Sequence, residues 1–307
     1  MPEYEPVDRL CLSFVEEFFN SRFNYGAAIA SMARAALDLV EVEVFVSSDD
    51  RPLLESELRD YGVDPCSVTA NTDSPGRGIL AEYLPVFCRD SRGRGRGLLF
   101  TDPHLSRCDE LRRFSGRLLD RMGLGRIEME EGFATAKVAA NEDLCLVCED
   151  VATESAMAFL RSTFPHQEFV AVPALAGDRT TDLDMFLWPV LPGTWLVSQY
   201  SKGSSREESV FPSVQAIRNH GHRVVRLPGL DHIVEGDVDT MPNYANGVLL
   251  NGRALYPIYG RREDEVTASL LESLGLEAVP VWSGEIIRSN SGPHCICKTV
   301  PSFEAAG

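Results

Sequence analysis

One pattern recurs along most of this 307-residue chain: two strand-like segments, a helix-like segment and a third strand-like segment. The clearest instance surrounds Asn251-Gly252, a dipeptide typical of a tight hairpin turn. It continues with a helix-like segment at 264–274 and a strand-like segment at 278–281. The units share no recognisable sequence identity. Repeated units of this kind favour a closed or repetitive α/β architecture over one open doubly wound sheet.

The same periodicity assigns the other elements. Helices are predicted at 27–40, 52–61, 153–164, 213–220 and 264–274. Strands are predicted at 42–46, 84–88, 98–100, 133–138, 144–148, 168–172, 184–189, 194–197, 223–227, 244–250, 254–257 and 278–281. No low-complexity linker divides the chain. We therefore predict one domain over residues 27–307, preceded by an N-terminal extension over residues 1–26.

The charge balance narrows the choice of partners. The chain has 46 acidic and 29 basic side chains, for a formal net charge of −17. Proteins that track nucleic-acid phosphates show the opposite balance, so we expect no nucleic-acid partner and instead a field that attracts small cations. There is no apolar run long enough for a membrane helix and no signal-peptide pattern, and the eight cysteines are scattered. We expect a cytoplasmic protein without a membrane partner.

The C-terminal region holds the most suggestive chemistry. Cys295 follows His294 after a Gly/Pro approach to a short strand, which could expose a nucleophilic thiol. A nearby cation lowers the pKa of a thiol, although neighbouring residues on a strand point to opposite faces. From these residues alone, the Cys-His dipeptide is a weak signal, and a buried structural cysteine is the other interpretation. No P-loop or dinucleotide-binding fingerprint is present, and the Cys145/Cys148 pair lies in an apolar strand, so we expect neither cofactor nor metal.

The segment from 243 to 295 resembles the C-terminal motif of agmatine deiminases and bacterial peptidylarginine deiminases, in the guanidino-group-modifying superfamily. That motif has the form N-x-x-x-x-N-G-x-x-x-x-P-x-x-G, followed by a helix and a Gly-rich approach to H-C. The matching positions are Asn246, Asn251, Gly252, Pro257, Gly260, Gly292, His294 and Cys295. The resemblance implies a five-bladed α/β propeller and makes Cys295 the nucleophile that attacks a guanidinium carbon. It also implies a homodimer as one candidate assembly.

Fainter resemblances supply the other site residues. DLDMF at 182–186 resembles the family's H-x-D-M-F element, so Asp184 matches the aspartate that grips the guanidinium and Asp182 stands in the place of the acid/base histidine. EYLP at 82–85 resembles R-D-Y-G-P from its aspartate onward, and EGF at 131–133 resembles E-G-G. The resemblance thus implies Glu82 and Glu131 as further substrate-binding carboxylates.

The missing histidine leaves the mechanism open. An aspartate donates a proton near neutral pH only where a second carboxylate or burial favours its protonated form, as Asp184 could do for Asp182. His232 or His294 could supply the proton instead. Three functions remain: a hydrolase acting on a guanidine or related C–N bond through covalent Cys295, an amidinotransferase, and a non-catalytic relative that binds a cationic ligand. The expected ligand is a small guanidine-like cation or an arginine side chain.

Overall fold

A computed structural model describes residues 2, 4–15, 25–74, 84–90, 93–100, 108–129, 135–230, 233–235 and 238–303. Its helices are α1 Gly26–Ala36, α2 Arg51–Asp60, α3 Cys108–Arg121, α4 Glu154–Thr163, α5 Ser205–Asn219 and α6 Arg262–Ser273. Its strands are β1 Val7–Phe14, β2 Glu41–Val46, β3 Thr69–Asn71, β4 Val86–Arg89, β5 Gly95–Leu99, β6 Gly125–Glu128, β7 Val138–Ala140, β8 Leu144–Cys148, β9 Glu168–Val172, β10 Leu187–Leu191, β11 Thr194–Gln199, β12 Arg223–Pro228, β13 Ile233–Glu235, β14 Val238–Thr240, β15 Val248–Leu250, β16 Arg253–Ile258, β17 Glu277–Trp282 and β18 Cys297–Pro301.

Five small sheets repeat one topology. In each sheet a first strand pairs antiparallel with a second, and the second pairs parallel with a third that follows a helix. The first blade takes its first strand from the other end of the chain, since β18 pairs with β1, while β2 and β3 complete it. The recurring unit predicted from the sequence is confirmed, and the molecule is a five-bladed pseudo-symmetric α/β propeller.

The first strands of the blades surround a common cavity. Residues from β4, β7, β10 and β18, with Gly247 just before β15, line a space of about 100 Å³. The described residues just before β7, β10, β15 and β18 include candidate site residues.

The N-terminal residues differ from their prediction as an extension. Residues 7–14 form β1, which pairs with β18 on one side and β2 on the other. Leu10, Leu12 and Phe14 are fully buried in the core of that blade. The boundary at residue 26 therefore does not separate an extension from the propeller, because apolar side chains alternate along β1 and their burial requires the sheet.

Two helices also differ from their predictions. α5 begins at Ser205 rather than 213, although Pro212 lies inside it. The Ser204 hydroxyl accepts a hydrogen bond from the amide of Glu207, and Val210, Val214 and Ile217 are buried, which offsets the local cost of the proline. α3 was not predicted; Leu111, Phe114 and Leu118 bury one of its faces. Within the described ranges, no helix has the length and apolarity needed to cross a bilayer.

Candidate active site

Cys295 lies in the loop that leads into β18, and only 6% of its surface is exposed. Burial raises the pKa of this thiol well above its usual range, and the charge of Asp184 adds to the rise. Burial and the charge of Asp184 therefore both favour the neutral thiol over the thiolate. A cation placed beside the sulfur would oppose both effects and favour the thiolate.

Asp184 lies beside the sulfur and also contacts His294. Asp184 is in a 3₁₀ turn just before β10, and its Oδ2 is 3.7 Å from Cys295 Sγ. The same Oδ2 is 2.8 Å from Nδ1 of His294. The other oxygen, Oδ1, is buried and has no hydrogen-bond partner in the described part of the chain. A carboxylate oxygen in this position can accept an N–H of a guanidinium.

Asn246 connects the two loops and was known from the sequence only as a motif position. It precedes β15 and is fully buried. Its Nδ2 lies 3.3 Å from Cys295 Sγ, and its Oδ1 lies 3.0 Å from the amide nitrogen of His294. The site is therefore built from three blades, through the loops before β10, β15 and β18.

Asp182 has a cationic partner that the sequence analysis missed. Lys137 Nζ lies 3.2 Å from Asp182 Oδ1 and 3.1 Å from Asp150 Oδ2. Burial alone would lower the pKa of Lys137, but the charges of Asp182 and Asp150 outweigh it and hold that pKa above its usual range. An ammonium at this distance favours the ionised form of Asp182. The signal in the sequence was Lys137 itself, a charged residue inside a strand predicted at 133–138.

The backbone beside Asp182 is strained. Thr181 has a φ of 56°, a conformation that β-branched residues rarely adopt. Its hydroxyl donates to Asp150 Oδ2 at 2.6 Å and accepts a hydrogen bond from Lys137. These polar contacts hold the turn that delivers Asp182 and Asp184 to the site.

Three candidates from the sequence, Glu82, Glu131 and His232, lie outside the described residues. Their roles therefore remain predictions. The central cavity also has two other lining residues with buried polar atoms that lack a partner among the described residues, Thr135 Oγ1 and Trp188 Nε1. Together with Asp184 they make the inner side of the site suitable for a small hydrogen-bonding molecule.

A second cluster of titratable groups lies in another region. His220 and His222 are both partly buried beside Asp143. The ring nitrogens of the two histidines and a carboxylate oxygen of Asp143 lie close enough to one another to bind one metal ion. However, Trp195 Nε1 donates to Nδ1 of His222 at 3.0 Å, so Nε2 carries the proton and donates to Asp143. A protonated nitrogen cannot bind a metal, so this arrangement favours a hydrogen-bonded cluster over a metal site.

Comparison with known proteins supports the resemblance. Residues 149–301 match the family model for Porphyromonas-type peptidyl-arginine deiminase. No curated protein sequence matches the chain. The predicted resemblance to this group of deiminases is confirmed by the family match over residues 149–301, and the solved structures show that the fold is shared.

Three solved structures illustrate that similarity. The C. jejuni agmatine deiminase has a TM-score of 0.82 at 14% identity, covering 99% of this chain and 96% of its own. The Enterococcus faecalis agmatine deiminase has a TM-score of 0.83 at 14% identity, covering 98% and 95%. A putative arginine deiminase from Porphyromonas gingivalis has a TM-score of 0.80 at 15% identity, covering 99% and 98%.

Proposed function

We propose that this chain, with the propeller fold and the family match of the guanidino-group-modifying superfamily, is a thiol-dependent hydrolase that cleaves a guanidine C–N bond. The observation that carries the proposal is the joint position of three groups. Oδ2 of Asp184 lies 3.7 Å from the Cys295 sulfur and 2.8 Å from Nδ1 of His294, while its Oδ1 has no hydrogen-bond partner among the described residues. The net charge of −17 favours the approach of a cationic substrate.

Cys295 and Asp184 can carry out a hydrolysis of a guanidinium in which all atoms and charges balance. A guanidinium held by Asp184 lowers the pKa of Cys295, and the resulting thiolate forms a C–S bond to the guanidinium carbon. The C–N bond then breaks, and the leaving amino group takes up one proton and departs as ammonia. Water attacks the carbon, the C–S bond breaks and the thiolate is regenerated. The net change converts a guanidinium and water into a urea and an ammonium ion.

His294 is the better proton carrier of the two candidates. It is adjacent in sequence to the nucleophile and hydrogen-bonded to Asp184, and imidazole exchanges protons near neutral pH. Asp182 is the alternative, but its ion pair with Lys137 favours a permanent carboxylate. Asp182 then contributes negative potential to a cation site. Glu82 and Glu131 remain proposed substrate-binding residues.

The names of the relatives support one substrate class. The solved structures include enzymes named for agmatine, and the family model is named for peptidyl-arginine. We therefore expect a small guanidine or an arginine side chain as substrate. A non-catalytic binder is the second candidate, because the neutral Cys295 thiol is consistent with a site that binds a cation without reacting.

The test compares two alkylating reagents that differ in charge, chloroacetamidine and chloroacetamide. After normalisation to the exposed Cys66, the cationic reagent should label Cys295 at least about tenfold faster at pH 7, because pairing with Asp184 favours its binding. Peptide-level mass spectrometry measures both rates. Asp184→Asn should remove the preference, and Cys295→Ala should remove the label.

Turnover separates the hydrolase from the binder. Preferential labelling should be accompanied by ureido product when agmatine, arginine or an arginine peptide is supplied. Preferential labelling without product from any of these guanidines would favour the binder, and incorporation of an added amine would favour the transferase. Equal labelling by the two reagents would contradict a cation site at Cys295.

A further inference from the structure

The side chain of Asn246 contacts both Cys295 and Asp184, which a residue that only shapes a turn need not do. Its side chain is fully enclosed and lies between the loop that carries Cys295 and the turn that carries Asp184. Each end of the amide contacts a different part of the site. The two ends therefore have separable effects.

The oxygen end fixes the backbone of the nucleophile. Oδ1 accepts hydrogen bonds from the amide nitrogens of His294 at 3.0 Å and Cys295 at 3.4 Å. The main-chain oxygen of Asn246 also accepts from His294 N, at 3.3 Å. These bonds satisfy buried donors and hold the Cys295 loop against the blade that begins with β15.

The nitrogen end faces the sulfur. Nδ2 is 3.3 Å from Cys295 Sγ and 3.4 Å from the main-chain oxygen of Asp184. The amide thus matches both protonation states of the sulfur. A thiol S–H can donate to Asn246 Oδ1 at 3.5 Å or Asp184 Oδ2 at 3.7 Å, whereas a thiolate accepts from Nδ2.

This contact opposes the effect of burial. Desolvation and Asp184 raise the pKa of Cys295, while the hydrogen bond from Asn246 lowers it. Hydrogen bonds to an ionised partner are stronger than those to a neutral one, so Nδ2 stabilises the thiolate more than the thiol. The amide N–H therefore offsets part of the rise in pKa that burial causes.

Gly292 permits this close arrangement. A Cβ at residue 292 would lie 2.3 Å from Asn246 Oδ1 and 2.8 Å from its Cγ. Any side chain there would displace the amide. The loop before Cys295 is therefore shaped around Asn246.

We propose that Asn246 is a catalytic residue whose amide N–H stabilises the Cys295 sulfur anion and whose amide oxygen holds the backbone that positions it. The proposal rests on the proposed function insofar as that anion is the nucleophile. The protonation of Cys295 can nevertheless be measured without a guanidine substrate. The two proposals can therefore fail independently.

The experiment follows chloroacetamide alkylation of Cys295 against pH by peptide-level mass spectrometry. In Asn246→Ala the midpoint should rise by about one pH unit, so that at a pH below the midpoint Cys295 reacts about tenfold more slowly than in the wild type. Asn246→Asp keeps the shape and the acceptor but loses the donor and should shift the midpoint at least as far. Because the added carboxylate also raises the pKa of a neighbouring thiol, the uncharged and similarly shaped Asn246→Leu carries the test if Asn246→Ala does not fold.

Asn251→Ala is the matched control. Asn251 belongs to the same motif, and its side chain bonds the backbone of Val7 rather than the sulfur. This variant should lose thermal stability without moving the midpoint. A midpoint that stays constant or falls in the Asn246 variants would overturn the proposal. A raised midpoint without preferential labelling by chloroacetamidine in the wild type would instead contradict only the guanidine-binding function.

Discussion

At the scale of single residues, Asp184 links the groups of the site. One of its oxygens contacts both His294 and Cys295. The other has no hydrogen-bond partner among the described residues. This carboxylate raises the pKa of the thiol when the site lacks a cation. Because a guanidinium would pair with the same carboxylate, the proposed function couples substrate binding and thiol activation through one side chain.

Replacing His294 and Asp182 separately distinguishes the two proton carriers. His294→Gln should lower kcat for guanidine hydrolysis by about 100-fold or more, since general acid–base catalysis contributes that much. It should also remove the pH dependence that an imidazole contributes. Asp182→Asn should lower kcat by less than about tenfold, because His294 remains. Ureido product measured across pH provides both values. The opposite order of effects would return the acid/base role to Asp182.

At the scale of elements, the candidate site residues share one position. Asp184, Asn246 and Cys295 lie within three residues before β10, β15 and β18, and Lys137 lies directly before β7. Glu82 precedes β4 in the sequence and lies outside the described residues. Because the first strands line the central cavity, the described residues before β7, β10, β15 and β18 bring side chains from four blades together.

The Lys137–Asp182 pair should contribute to stability. Lys137→Met should lower the free energy of unfolding in urea by about 3 kcal/mol, since removing one partner leaves buried carboxylate charge uncompensated. Asp182→Asn should destabilise as well, and the double variant should lose less than the sum of the two. Because the pKa of Lys137 lies above its ordinary value of 10.5, the contribution should persist through neutral pH and be lost as pH rises beyond that value.

The control for that cycle is Lys202→Met, at an exposed lysine. It should change the free energy of unfolding by less than about 0.5 kcal/mol. Strict additivity in the Lys137–Asp182 cycle would show that the two charges do not interact in solution.

At the scale of the whole molecule, closure of the ring of blades holds the Cys295 loop in place, and the negative net charge attracts cations. The chain closes the ring by pairing β18 with β1, so the loop carrying Cys295 is held in place by the N-terminal residues. The net charge of −17 surrounds a site that already contains Asp184 and Asp182. This field should concentrate cations at the molecule as a whole.

Salt should therefore weaken the reaction with cationic reagents. Raising the ionic strength from about 0.01 M to about 1 M shortens the Debye length from ~30 Å to ~3 Å. Labelling of Cys295 by chloroacetamidine should slow by a few-fold over this range, whereas labelling by neutral chloroacetamide should stay constant. Mass spectrometry of samples quenched at successive times measures both rates. An equal response of the two reagents would assign the salt effect to the protein's conformation.

The sequence by itself determined the repeated unit, its hairpins and most of its helices, because these depend on apolar periodicity and turn residues over short distances. Resemblance to family motifs added Cys295, Asp184 and His294 as candidates. It could not show that Lys137 neutralises Asp182 or that Asn246 contacts the sulfur, since these contacts join residues 45 and 49 positions apart on different blades. It also missed β1, whose partner β18 lies at the other end of the chain. Only closure of the ring brings such residues together, and their charges and hydrogen bonds take effect when water is excluded between the blades.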